Sequence, residues 1–443
     1  PEGAFNCSIR FHDTIHTMPY VLGVASLKAT GVKSSYSSID ASTWVSGFGG
    51  EFGYSEEYIG DSYGERLYEP AMVTTDQSSC LYGYTGVYNF PRNRFNDWGY
   101  YNPNHPDNNN CNYTSTFNGT SAAAPSVAGG VAVLLGEYPD LTWRDVKHII
   151  AKTARKNDTT RSYTRNSLVQ YDWITNAAGY SHHFWYGFGA FDVGAALDFA
   201  STYSSGSLGT FTEYGWQESQ SKETIQVSVE ANANGRNVYV IDGVQRKSLT
   251  LNVGATYTFV HPNSHPLRFS TTEDGTHGGG VEYTDGVTKS SGVTTITVGD
   301  DAPTTLYYYC DIHPDMGSDI FNLDSTPNLN MVIPSFSSVE DTITYSAETT
   351  DNFVEFIQIK ISLDKDIPRD IGLHLISPEG TEMSILHPFT NVADNPLGAW
   401  FIMGVAGFYG EDINGDWTLK VTDYTDNDDD GILIDWSINV FGN

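Results

Sequence analysis

Asn118-Gly119-Thr120-Ser121-Ala122-Ala123-Ala124-Pro125 sets one hydroxyl between a glycine turn and a run of small residues. Gly119 permits a tight turn before the serine. The alanines suit a closely packed helix, and Pro125 is tolerated in its first turn. The free amides and positive dipole end of such a helix favour a developing anion. Two chemistries fit: Ser121 is a nucleophile whose own amide donates to an oxyanion, or it is a helix N-cap with no reaction to perform. A second group lies far downstream. Ser264-His265-Pro266-Leu267 comes first, then Cys310-Asp311-Ile312-His313-Pro314-Asp315-Met316. A thiolate, two imidazoles and a thioether are the donors of a blue-copper centre, so His265, Cys310, His313 and Met316 are candidate copper ligands. The other reading is a metal-free binding module in which Cys310 is an ordinary buried thiol. His261 and His277 show that histidine is not scarce locally.

The remaining cysteines bear on compartment. Cys80 and Cys111 bracket a segment rich in Asn, Tyr, Pro and Gly, where a disulfide would constrain a floppy loop. That pairing implies an oxidising, extracellular setting; Cys7 has no assigned partner. With 23 basic against 54 acidic residues the formal charge is -31. Such a surface repels phosphate backbones, which excludes nucleic acid as a partner. It suits calcium, a hard cation held by carboxylate and carbonyl oxygens, although no calcium ligands are assigned. The run Asp426-Asn427-Asp428-Asp429-Asp430-Gly431 lacks a full calcium-loop pattern and reads first as a solvated turn. No apolar run is long enough to cross a membrane.

The elements that must position these groups fall into three stretches. Up to about residue 200, strand and helix signals mix: Tyr20 to Ser26 and Trp44 to Phe48 read as short strands. Ser121 to Gly136 is apolar all round, as in a buried helix. Thr142 and Asp145 have capping-box spacing at the start of another helix. This is an α/β layer pattern. Thr202 to Thr224 dissolves into Ser, Gly, Thr and Glu and reads as a linker. From 225 to 326, and again from 333 to 443, short β-branched and aromatic runs alternate with Gly, Asn and Asp turns, the pattern of sandwiches.

On the motif Asn118 to Pro125, on Gly129 to Ala154 and on Tyr186 to Asp192, residues 1–201 resemble the C-terminal portion of a subtilase catalytic domain. The resemblance implies a secreted serine endopeptidase of the kexin type, acting on protein or peptide through an acyl-enzyme on Ser121. It also implies an Asp, a His and an oxyanion Asn upstream of the serine. Pro1-Glu2-Gly3-Ala4 matches the region just after that Asn, so the three are expected from an upstream segment of the same protease. His12 and His16 are read as structural. Where kexin-type enzymes place acidic residues around the counterpart of Cys7, this chain has Phe5 and Arg10, and Arg10 would repel a basic substrate side chain. Residues 225–326 resemble a cupredoxin. Residues 333–443 resemble the P domain of proprotein convertases, a jelly-roll-like sandwich, on Gly372 to Gly380, Asn414 to Asp423 and Gly431 to Val440. The competing expectation is a non-catalytic extracellular binding or assembly protein on a subtilase scaffold.

Overall fold

The computed structural model describes residues 15–38, 40–54, 69–85, 95, 106–160, 163–165, 169–299, 301–323, 329–347, 352–365, 368–389, 400–426 and 430–443. The expectations attached to Phe5, Cys7, Arg10 and His12, and most of the acidic run near 428, lie outside them. The chain is mostly β, with several sheets and, among the described residues, few helices. It divides into two compact units, one of residues 1–217, 332–432 and 436–443, the other of 218–331 and 433–435.

In the first unit, strands β1 (Gly23–Leu27) and β2 (Thr43–Phe48) pair in parallel. A hairpin, β3 (Met72–Thr75) with β4 (Tyr113–Phe117), runs into helix α1 (Thr120–Glu137). Helix α2 (Trp143–Thr153) starts on the expected capping box: Thr142 accepts from the Asp145 amide and Asp145 accepts from the Thr142 amide. Helix α3 (Val193–Ala200) follows. The Cys80–Cys111 disulfide is present, with Cα atoms 5.0 Å apart.

Beyond two short hairpins, Tyr163–Arg165 with Val169–Tyr171 and Ile174–Thr175 with Ser181–His182, the rest of this unit is two sheets. One orders Met331–Ile333, Gly431–Gly442, Val354–Asp364 and Trp400–Val405; the other orders Ser338–Tyr345, Gly415–Asp423, Ile371–Ile376 and Glu382–Leu386. Period-2 burial in Gly415–Asp423 turns Trp417, Leu419 and Val421 inward. Trp417 and Trp436 are fully buried, as their sequence context suggested. The stretch read as a linker differs: Thr212–Glu218 is a strand pairing with Gly431–Gly442. Its partner is remote in sequence, and its polar composition masks the pairing.

Residues of α1, α2 and α3 share one core with strands beyond 350: Trp44, Val127, Ile149, Phe188, Phe356, Tyr409 and Phe441 belong to the same buried cluster. Polar contacts reinforce it. Arg144 is bonded through Nε and Nη2 to the Glu355 carboxylate, both side chains nearly buried, and gives its remaining donors to the carbonyls of Leu208 and Gly209. Removing one member of a buried pair strands the other. Glu355→Ala is therefore expected to cost about 3–5 kcal/mol, read as a lower urea midpoint, and Arg144→Ala to cost about as much. Two unchanged midpoints would show that the pair is not buried in solution.

The second unit is all β. One sheet orders Val244–Gln245, Asn237–Ile241, Lys222–Ala231, Thr256–Val260, Val293–Thr297 and Val287–Ser290. The other orders Leu249–Asn252, Ser318–Leu323, Thr305–Cys310, Leu267–Ser270 and Glu282–Tyr283. Both contribute to one core, with Tyr239, Tyr257 and Phe259 from the first and Phe269, Tyr308 and Ile320 from the second.

Candidate functional site

Ser121 stands at the head of α1 because the backbone turns at Gly119, whose φ of 102° is a conformation that L side chains rarely adopt. The turn is tied down from one side: the Gly119 amide donates to the Tyr36 hydroxyl at 2.8 Å, and that hydroxyl donates to the Gly49 carbonyl at 2.9 Å. Close approach of α1 to β2 needs residues without Cβ atoms. A Cβ at Gly47 would meet the Ala123 carbonyl at 2.7 Å, and one at Gly49 the Gly119 carbonyl at 2.5 Å. Ser121 does not cap the helix; the N-cap is Gly119, and no side chain bonds there. The hydroxyl is exposed, on a helix end whose amides and dipole favour an anion.

α1 departs from expectation in one respect. Ala122, Ala123, Val127, Gly130 and Leu134 are buried, yet Ala124, Pro125, Ala128, Ala132 and Val133 are exposed. The helix is apolar all round but covered on one face only. Small apolar residues carry no sign of which neighbour covers them, so the sequence pattern could not distinguish the two faces.

Among the described residues no histidine is hydrogen-bonded to Ser121. His182 donates from Nε2 to the Thr43 carbonyl at 3.1 Å, His183 accepts from the Trp185 amide at 3.0 Å, and His148 Nδ1 is 2.9 Å from the Tyr409 hydroxyl. Burial holds all three neutral, pulling His148 and His182 down to about 4 and His183 down to about 3. They are structural groups. His16 and Asp40 line a hollow of about 90 Å³ beside Thr120, the neighbour of Ser121. Burial pushes the Asp40 carboxyl up, against the Ser42 backbone bond, which favours the ion.

The other candidate group sits at one end of the five-stranded sheet of the second unit. Strands Leu267–Ser270 and Thr305–Cys310 are antiparallel with Leu267 opposite Cys310. That register places the turn holding His265 and the loop holding His313 at the same end. The ligand atoms of His265, Cys310 and His313 lie within 4.8 Å of one another. The sulfur is 3.9 Å from His265 Nδ1 and 3.7 Å from His313 Nδ1, and the two rings are 4.7 Å apart. Cys310 is a free, fully buried thiol and His313 is exposed. Met316 is fully buried in the same core as Cys310. His265 is pulled down by burial first and by His313 second. The set fits a soft or borderline metal, since thiolate and imidazole donors converge at liganding separation. A chance core cysteine has no need of two imidazole nitrogens facing its sulfur. Among the described residues no other group of three His, Cys, Asp or Glu side chains converges in this way, so no calcium cluster is located.

Comparison with known proteins adds the following. Residues 95–189 match the family model "Subtilase family", and residues 354–440 match "Proprotein convertase P-domain". The Aeromonas extracellular serine protease of Aeromonas sobria is 34% identical over 208 residues, covering 44% of this chain and 30% of that protein. Human proprotein convertase subtilisin/kexin type 7 is 40% identical over 92 residues, 21% of this chain and 11% of that protein. The chain thus spans under a third of the length of these relatives. The crystal structure of the serine protease of Aeromonas sobria shares the fold at 23% identity and a TM-score of 0.58, over 95% of this chain and 57% of that one.

Proposed function

We propose, for a chain whose residues 95–189 are of the subtilase family and whose residues 354–440 are a proprotein convertase P domain, that it supplies the serine half of a secreted endopeptidase of the kexin type. Ser121 attacks a peptide carbonyl, its own amide donates to the oxyanion, and water releases the acyl-enzyme. The base His, the Asp that orients it and the second oxyanion donor, an Asn, come from an upstream segment of the same protease. One observation carries this reading: an exposed serine heads an apolar helix with one bare face. A helix apolar all round is ordinarily buried. A purely parallel sheet ordinarily has more than two strands and both faces covered, which supports a larger layer that continues β1–β2. Secretion is supported by the Cys80–Cys111 disulfide and by the extracellular Aeromonas sobria relative.

The substrate is protein or peptide. Calcium, supported by the acidic excess, serves as a structural ion without an assigned site. In residues 225–326 we read a cupredoxin-like sandwich whose His265, Cys310 and His313 would hold copper, with Met316 as a further donor. Copper bound there supplies one-electron transfer. The protein's part is to keep one cysteine sulfur and two imidazoles together at the end of a sheet.

The test is labelling with a fluorophosphonate, with mass analysis of every polypeptide in the preparation. Phosphonylation at Ser121 in a sample that also holds the upstream segment supports the proposal. A sample holding both pieces that stays unlabelled overturns it and leaves the non-catalytic binding scaffold.

A further inference from the structure

We propose that Tyr239 is a positioning residue of the His265–Cys310–His313–Met316 centre, fixing two of its loops. This rests on the copper reading above. Tyr239 lies on strand Asn237–Ile241 of the six-stranded sheet, opposite the sheet that carries Cys310, and is fully buried. From there it reaches the centre twice. Its hydroxyl donates to the His265 carbonyl at 2.8 Å, and its amide donates to the Met316 carbonyl at 3.0 Å. One residue of the facing sheet therefore holds both the turn of His265 and the loop of Met316.

A phenylalanine would fill the same volume beside Tyr308, whose ring lies 6.1 Å away. The hydroxyl is thus the part of Tyr239 that core packing does not require. Sequence reasoning missed it, because two of its acceptors are main-chain carbonyls and no motif records those.

The experiment loads the full chain with Cu(II) as wild type and as Tyr239→Phe, and reads copper affinity, the sulfur-to-copper absorption band and the reduction potential. Tyr239→Phe is expected to bind about 10-fold to 100-fold more weakly, with a shifted band, because the His265 turn loses its anchor. If wild type shows the band and Tyr239→Phe keeps its affinity, band and potential, the role of Tyr239 is overturned while the copper reading stands. If wild type itself shows no sulfur-to-copper band, the copper reading fails and takes the role of Tyr239 with it.

Discussion

On the proposed mechanism, replacing Ser121 by Ala is expected to lower kcat for peptide hydrolysis by about six orders of magnitude in a preparation that also holds the proposed upstream segment, with no change in Tm. The size follows from the chemistry. Without the hydroxyl there is no acyl-enzyme, and the base and oxyanion donors have nothing to activate. The unchanged Tm follows from the geometry. Ser121 is exposed, the N-cap is Gly119, and the turn is held by Tyr36 and Gly49, so the substitution removes no structural bond. The check is steady-state hydrolysis of a peptide series, with thermal unfolding of both proteins in parallel. A loss of only a few-fold would mean that hydrolysis in the preparation comes from another nucleophile.

On the proposed copper reading, Cys310→Ser is the second large effect. Serine is close in size, but its hydroxyl stays protonated at neutral pH, whereas a thiol yields a thiolate to a metal. The expected result is complete loss of the sulfur-to-copper band. Affinity should fall by more than the roughly 100-fold that losing an outer hydrogen-bond partner costs. Because His265 and His313 face that sulfur at 3.9 and 3.7 Å, two imidazoles remain but the soft anionic donor is gone. Copper titration followed by absorption and calorimetry checks this. Equal affinity and spectrum in the variant would place the copper elsewhere on the chain.

How much of this was legible in the sequence depended on how local each signal was. The head of α1 and the capping box of α2 were readable, because a glycine before a serine, and Thr142 three residues before Asp145, act within one turn. Cys310, His313 and Met316 share one loop, and only His265 required the fold, through the pairing of Leu267 with Cys310. The strand Thr212–Glu218 was not readable. Its half-exposed polar composition resembles a linker, and what makes it a strand is a partner near the end of the chain. The bare face of α1 was hidden for the opposite reason, since Ala124, Ala128 and Ala132 look the same in sequence whether or not anything covers them. Arg144 with Glu355 and Tyr239 with His265 belong to the same class, contacts between distant residues that no short pattern announces.

The strand on which the chain leaves the first unit, Thr212–Glu218, and the strand on which it returns, Met331–Ile333, belong to one sheet and both pair with Gly431–Gly442. The second sandwich is thus inserted, in sequence, between two strands of one sheet. In evolutionary terms that is the layout of a cassette, a module entered and left at two points of one sheet. An engineer could use the same two points to graft a different module onto this scaffold.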